Sequence, residues 1–128
     1  MSSQPIEKIE DRTYKFALRI VRLVKALPKD YASRAIGRQV LRSGTSIGAN
    51  VEEAIGGSSK RDFANKMAIA RKEARETHYW LRLLRDSELV KADRISSLIQ
   101  EALELKKILS KTVTTTRKRL ASAKKIAN

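Results

Sequence analysis

The residues best suited to chemistry in this chain are four carboxylates near the middle of the sequence. They are Glu52, Glu53, Glu73 and Glu76. Paired carboxylates can exchange protons with a substrate or hold a magnesium ion. Arginines such as Arg42 and Arg75 occur among them, and an ion pair with arginine occupies the same oxygens. We expect such ion pairs, and therefore a structural rather than a catalytic role.

The other catalytic and metal-binding arrangements lack essential residues. The chain has no cysteine and a single histidine, His78, so neither a thiolate metal site nor a nucleophilic triad can be assembled. A di-iron bundle needs two Glu-x-x-His motifs, and position 75 is Arg. The glycines of residues 43–50 are not followed by the Lys-Ser/Thr pair of a phosphate loop. The sequence predicts no enzyme, no metal or other cofactor, and no small-molecule substrate.

Positive charge is the strongest compositional signal. The 128 residues include 28 Lys and Arg against 14 Asp and Glu, a formal net charge of +14. Residues 1–30 and 31–105 each carry a net +3, whereas residues 106–128 hold eight basic residues and no acidic one. A charge of this size attracts polyanions. The alternative interpretation is that the charge only keeps the chain soluble.

Basic residues recur at helical spacing in three places. The first is a stripe along the first predicted helix, without acidic residues at the i+4 positions that support salt bridges. Aromatic residues for stacking on bases are few, so we predict contacts to the nucleic-acid backbone rather than sequence reading. The candidate nucleic-acid-binding residues are Arg12, Lys15, Arg19, Arg22 and Lys25 of the stripe, Arg34, Arg38 and Arg42 in the second helix, and Lys111, Arg117, Lys118, Arg119, Lys124 and Lys125 near the C-terminus.

The stretch from Ile36 to Ile55 is the segment against which we expect the other helices to pack. Its Gly, Ser, Thr and Asn residues favour turns. Its apolar residues nevertheless keep the 3.6-residue period of a helix, which a loop has no reason to do. Gly44 and Gly48 then allow a neighbouring helix to approach closely, which offsets a propensity cost of about 1 kcal/mol per glycine. The apolar face consists of Ile36, Val40, Gly44, Ile47, Val51 and Ile55.

Local signals define the ends of the helices. Pro28 ends the first, Gly56 is suited to a left-handed cap after the second, and Ser59 is suited to capping the third. Short connections then favour an all-α, antiparallel up-down-up-down four-helix bundle. The predicted helices span about 6–27, 31–55, 60–85 and 93–120, within a single domain of residues 1–120 that precedes a basic flexible tail of residues 121–128.

The third and fourth helices have regular apolar faces. Trp80 lies off the face of the third helix and gives it a second apolar edge, which favours oligomerisation. The two faces consist of Phe63, Met67, Ala70, Ala74, Thr77, Leu81 and Leu84, and of Ile95, Leu98, Ala102, Leu105 and Leu109.

Two of these segments resemble a known family. Residues 41–54, LRSGTSIGANVEEA, resemble the signature of the bacterial four helix bundle protein family, first known from reading frames in intervening sequences of large-subunit ribosomal RNA genes. Residues 76–84, ETHYWLRLL, resemble its third-helix motif. The first segment is also similar to the accessory variability determinants of diversity-generating retroelements. The resemblance implies a homopentamer of bundles arranged as a barrel, and Asn50 and Glu53, within the signature, are interpreted as polar contacts that fix helix or subunit register.

These observations favour one function and leave an alternative open. The first is a non-catalytic oligomeric bundle that binds RNA, DNA or a nucleoprotein partner such as a reverse transcriptase, since the retroelement proteins that the chain resembles work with one. The alternative is a protein-interaction scaffold without nucleic-acid binding. The absence of cysteine, of a signal peptide at the N-terminus and of a long apolar window predicts a cytoplasmic protein without membrane contact.

Overall fold

The computed structural model describes residues 6–127, and within this range the chain forms four α-helices and no strand. Predictions for residues 1–5 and for residue 128 lie outside it. The helices are α1, Ile9–Lys25; α2, Tyr31–Ile55; α3, Lys60–Asp86; and α4, Ala92–Ala127. The predicted all-α class with four helices is confirmed.

Close contact between α1 and α2 depends on the glycines of α2. A Cβ atom added at Gly48 would lie 3.3 Å from Thr13 Oγ1, and one added at Gly37 would lie 2.9 Å from Leu27 Cδ1. The start of α1 therefore meets the end of α2, and the two helices run antiparallel. The predicted close approach at Gly48 is confirmed, because the missing side chain is what lets the helix backbones come together.

Polar contacts join α2 to α3 with the same antiparallel sense. The buried hydroxyls of Ser43 and Thr77 are hydrogen bonded at 2.8 Å, and Lys66 Nζ lies 3.0 Å from Glu53 Oε2. Ser43 and Thr77 belong to the two sequence segments that carry the family resemblance. Those segments therefore pack against each other in the core.

The core follows the predicted apolar faces of α3 and α4 closely. Every predicted position of α4 is buried, and so is every predicted position of α3 except Phe63, which is half-buried. In α2 the face is buried from Val40 to Val51, whereas Ile36 is half-buried and Ile55 is 47% exposed. Ile55 keeps the helical phase of this face but is not buried, because it occupies the last position of α2.

The helix ends agree only in part with the local signals. Asp30 caps α2 by accepting a hydrogen bond from the Ser33 amide at 2.8 Å, and Ser59 caps α3 by accepting one from the Asp62 amide at 3.0 Å. The predicted left-handed cap at Gly56 is wrong, since Gly56 has φ −80° and ψ −1°. Glycine permits the left-handed region but does not require it.

The left-handed residue occurs instead after α3, at Glu88, with φ 62°. The Glu88 amide donates to the Arg85 carbonyl at 3.0 Å, and the Leu89 amide donates to the Leu84 carbonyl at 3.1 Å. This pair of hydrogen bonds is the Schellman motif, in which glycine is the usual residue. The α3–α4 connection is thus fixed by main-chain contacts.

Helix α4 is longer than the sequence predicted. It has 36 residues, and a helix of that length extends about 54 Å. Its buried face continues past Leu109 to Val113. Residues 121–127, predicted as a flexible tail, are helical, since alanine and lysine favour helix and neither glycine nor proline interrupts them. None of the helices within residues 6–127 is long and apolar enough to cross a membrane.

Candidate nucleic-acid interface

The basic residues near the C-terminus lie on the last turns of α4. All six candidates, from Lys111 to Lys125, are exposed. No acidic residue follows Glu104 in the sequence, and no salt bridge involves these six side chains within the described residues. Their charge is therefore available to a partner.

The spacing of these residues places much of the charge on one side of α4. Lys111, Lys118 and Lys125 recur every seven residues, which is close to two helical turns, so they share a face. The distance along the axis from the first to the last is about 21 Å. A linear array of this length can follow a phosphate backbone.

The stripe on α1 is partly occupied by contacts to α4. Arg12 forms a paired contact with Glu101, with Nε–Oε2 and Nη2–Oε1 distances of 2.7 Å each. Arg19 Nη2 donates to Ser97 Oγ at 2.6 Å. Sequence reasoning missed these partners because it searched for acidic residues within α1 only, and Glu101 lies 89 residues away.

The rest of the stripe is exposed, although Lys15 Nζ lies 3.3 Å from Glu7 Oε2. An exposed pair of this kind contributes little, so Lys15 keeps its capacity to bind a phosphate. Arg22 and Lys25 are also exposed. Among the residues of the predicted stripe, Arg12 is therefore the one whose side chain mainly stabilises the bundle.

We expect Arg12→Gln to lower stability without changing nucleic-acid affinity. The substitution leaves Glu101 without its partner in a half-buried position, which costs about 1–3 kcal/mol. Urea denaturation followed by circular dichroism measures the cost. Lys15→Gln is the matched control, expected to change stability by less than about 0.5 kcal/mol. Equal midpoints for the two variants would contradict the structural role of Arg12.

The basic row on α2 divides into two parts. Arg34 and Arg38 are exposed and line a groove of about 370 Å³ beside Lys25 and Lys29, at the α1–α2 connection. Arg42 turns instead to α3. This end of the bundle is opposite to the basic end of α4, so the candidate residues form separate surfaces rather than one.

The expectation that the central carboxylates pair with arginines is confirmed in part. Glu53 pairs with Lys66, and neither Glu52 nor Arg75 forms an ion pair within the described residues. Glu73 and Glu76 both pair with Arg42. Its Nη1 lies 3.2 Å from Glu73 Oε2, and its Nη2 lies 2.5 Å from Glu76 Oε1. The hydrogen bond from Arg42 lowers the pKa of Glu76 from its ordinary value of 4.5. Because its guanidinium is occupied by these two carboxylates, Arg42 is less available to bind a phosphate.

The Arg42 pair predicts a specific pH dependence. A carboxyl whose pKa is lowered by folding stabilises the folded state above its unfolded pKa, and that stability is lost as the pH falls through the folded pKa. We expect the parent to lose stability as the pH falls below about 4.5, the ordinary pKa of this carboxyl, and Arg42→Gln to lose less over the same range. Thermal melts across this range test the difference. Parallel curves for the two proteins would contradict it.

The register contacts predicted for Asn50 and Glu53 differ in kind. Asn50 Nδ2 donates to the Ser46 carbonyl of the same helix at 2.8 Å, so this contact is local to α2. Glu53 contacts Lys66 of α3 and does bridge two helices. Trp80 is half-buried against the core, and its Nε1 is buried without a hydrogen-bond partner among the described residues.

The remaining polar groups with a possible role in chemistry are His78 and the acidic residues. Burial lowers the pKa of His78, and the positive charges of Arg82 and Lys106 act in the same direction, so neutral imidazole is favoured. Within residues 6–127 no three His, Asp or Glu side chains are grouped closely enough to hold a metal ion.

The chain is similar to a known protein family and to solved structures. Residues 8–111 match the family model described as 23S rRNA-intervening sequence protein. A solved structure of a protein of unknown function, from the S23 ribosomal protein family of Bacteroides thetaiotaomicron VPI-5482, is 42% identical with a TM-score of 0.78. The alignment covers 83% of this chain and 98% of that one. No curated protein matches the chain.

The family match ends at Lys111, within α4. Five of the six basic candidates on α4 lie beyond that point: Arg117, Lys118, Arg119, Lys124 and Lys125. The most basic part of the chain is therefore an extension of the segment that the family model describes.

Proposed function

The chain belongs to the family of 23S rRNA-intervening sequence proteins, and from that premise we propose that it is a non-catalytic, oligomeric bundle that binds the phosphate backbone of nucleic acids. The observation that carries the proposal is the run of six exposed basic residues on the last turns of α4. Each phosphate that Lys or Arg neutralises releases counterions, which gives tight and salt-dependent binding. Phosphate contacts carry no sequence information, so unrelated sequences should bind alike.

The proposal includes a homopentamer. Tyr14, Leu18 and Val21 are 60%, 39% and 37% exposed and lie on one face of α1. Burial of such a face against another subunit would remove apolar surface from water. Five copies would also multiply the basic ends of α4 and raise the avidity for a long polyanion.

The partner in this proposal is RNA, DNA or a nucleoprotein such as a reverse transcriptase bound to its RNA, since each offers the same phosphates. The absence of cysteine supports a cytoplasmic setting. A scaffold that binds another protein and no nucleic acid is the alternative. The salt dependence of binding separates the two functions.

Fluorescence anisotropy with two unrelated RNA and two unrelated DNA oligomers tests the proposal. We expect all four to bind at low salt with similar affinity, and the affinity to fall linearly on a logarithmic plot against salt concentration. Light scattering on the same samples gives the mass, expected at about five times the chain mass of 14.4 kDa. Failure to bind any oligomer at low salt would leave the scaffold as the function, and a mass near one chain would exclude the pentamer.

A further inference from the structure

A second surface of the protein combines an apolar floor with basic walls. It is a groove of about 600 Å³ between the end of α1, the α3–α4 connection and the first turns of α4, at the end of the bundle opposite to the basic end of α4. Its floor consists of half-buried or buried aliphatic side chains: Leu23, Leu27, Leu89, Val90 and Leu98.

Four cations stand around this floor, two on each side. Arg19 and Arg22 belong to α1, and Lys91 and Arg94 lie at the start of α4. Among the described residues, Glu88 is the one acidic residue that lines the groove. The N-terminus of α4 adds a partial positive charge and the C-termini of α1 and α3 add partial negative charges, so the excess of positive charge comes from the four side-chain cations against one carboxylate. The groove therefore has a positive potential that favours an anionic occupant.

The groove is formed before any partner arrives. The Leu89 and Val90 amides both donate to the Leu84 carbonyl, at 3.1 and 3.3 Å. Arg19 is oriented by its 2.6 Å hydrogen bond to Ser97. Glu88 holds a left-handed conformation that a non-glycine residue adopts at some cost. A site that is already ordered loses less conformational entropy when a partner binds.

We propose that this groove binds an acidic amphipathic segment of a partner protein. Aliphatic side chains of the segment enter the floor, and its carboxylates meet Arg22, Lys91 and Arg94. A nucleic acid fits less well, because no aromatic ring within residues 6–127 lines the groove and a phosphate backbone would cover the leucines with charge. This site is separate from the phosphate-binding end of α4.

A short fluorescein-labelled peptide, with leucines at helical spacing and glutamates between them, is the probe. We expect it to bind the full chain, and two matched peptides to bind at least about tenfold more weakly. One replaces each glutamate by glutamine and the other replaces each leucine by serine. Equal binding of the serine peptide would overturn the proposal, since charge alone would then explain the affinity.

Charge reversal locates the site. Arg22→Glu combined with Arg94→Glu should lower the affinity for the leucine–glutamate peptide at least about tenfold, because both residues are exposed and face the groove. The matched control, Arg117→Glu with Arg119→Glu, removes the same charge from the far end of α4 and should change the affinity less than about twofold. An equal loss of peptide affinity in both variants, or no loss of affinity in either, would overturn the proposal.

Two further outcomes identify a different occupant. An unlabelled oligonucleotide that displaces the peptide from the control variant as readily as from the parent would assign the groove to nucleic acid, because that variant's α4 end has lost half of its net charge of +8. A change in mass of the Arg22 and Arg94 variant by light scattering would assign it to a second copy of this chain. The proposal predicts neither result.

Discussion

The Gly44→Leu variant is expected to melt about 10 °C below the parent or to lose its fold. A Cβ atom at position 44 would lie 2.9 Å from both Cγ1 and Cγ2 of Ile20 and 3.3 Å from its Cβ. Ile20 is fully buried and branched at Cβ, so it cannot rotate out of the way. Overpacking of this kind costs roughly 1–3 kcal/mol or more, and each kcal/mol corresponds to several degrees for a domain of this size.

Gly37 of α2 and Gly56, which directly follows α2, supply graded controls. The Cβ of Gly37→Ala would lie 2.9 Å from Leu27 Cδ1, the end of a flexible and half-buried side chain, and at an ordinary contact distance of 3.6 Å from Val24 Cγ1. The gain in helix propensity of about 1 kcal/mol should therefore balance the contact. Gly56→Ala meets nothing closer than a carbonyl at 3.5 Å and should leave stability unchanged or slightly raised.

Circular dichroism melts and light scattering on the three variants measure stability and assembly together. A Gly44→Leu variant that melts and scatters like the parent would mean that α1 and α2 do not pack as closely as their contacts indicate. A similar loss of thermal stability in all three variants would mean that glycine itself, rather than the space at position 44, is required.

The period of the apolar residues was the reliable signal for α2. Gly, Ser, Thr and Asn have low helix propensity, yet Val40, Ile47 and Val51 are completely buried on one face. Tertiary packing overrides propensity in such a segment, because the small residues gain contacts that a larger side chain would prevent. The same reasoning predicts the close approach at Gly48 from residue types and spacing alone.

Local residue type was a poorer guide at the helix ends. Gly56 matched the usual cap residue, but the left-handed conformation lies at Glu88. The chain must reverse direction after α3 and close the Schellman hydrogen bonds there, and that requirement comes from the packing of α3 against α4. A sequence pattern reports what each residue permits, whereas the tertiary contacts decide where it is needed.

The candidate site could be predicted in composition but not in arrangement. Counting charges identified the basic end of α4, because acidic residues are absent from that whole segment. The occupation of Arg12 by Glu101 joins residues far apart in the chain, and nothing in the local spacing of α1 indicates it. A basic stripe therefore predicts a surface only after the facing helix is known.

Neutralising the basic end of α4 is expected to have the largest effect on nucleic-acid binding. Replacing Arg117, Lys118, Lys124 and Lys125 with Gln removes four exposed charges and leaves the buried Val113 in place. If each contacts a phosphate, the salt slope on duplex DNA should fall by about 0.9 per residue, and affinity at low salt by roughly ten- to a hundredfold. Glutamine keeps the helix propensity, so α4 should remain folded.

The matched control replaces four cations between the middle of α3 and its last turn with Gln, because α3 begins beside the basic end of α4: Lys72, Arg75, Arg82 and Arg85. Both variants lose the same net charge, so a difference between them reports position rather than total charge. We expect the α3 variant to bind within about threefold of the parent, since charges more than a Debye length from the bound phosphates are screened. The α4 variant should lose affinity for unrelated RNA and DNA equally, because the contacts it lacks are to the nucleic-acid backbone. Equal losses for the α3 and α4 variants would contradict a defined interface on α4 and favour a diffuse attraction by the net charge of +14.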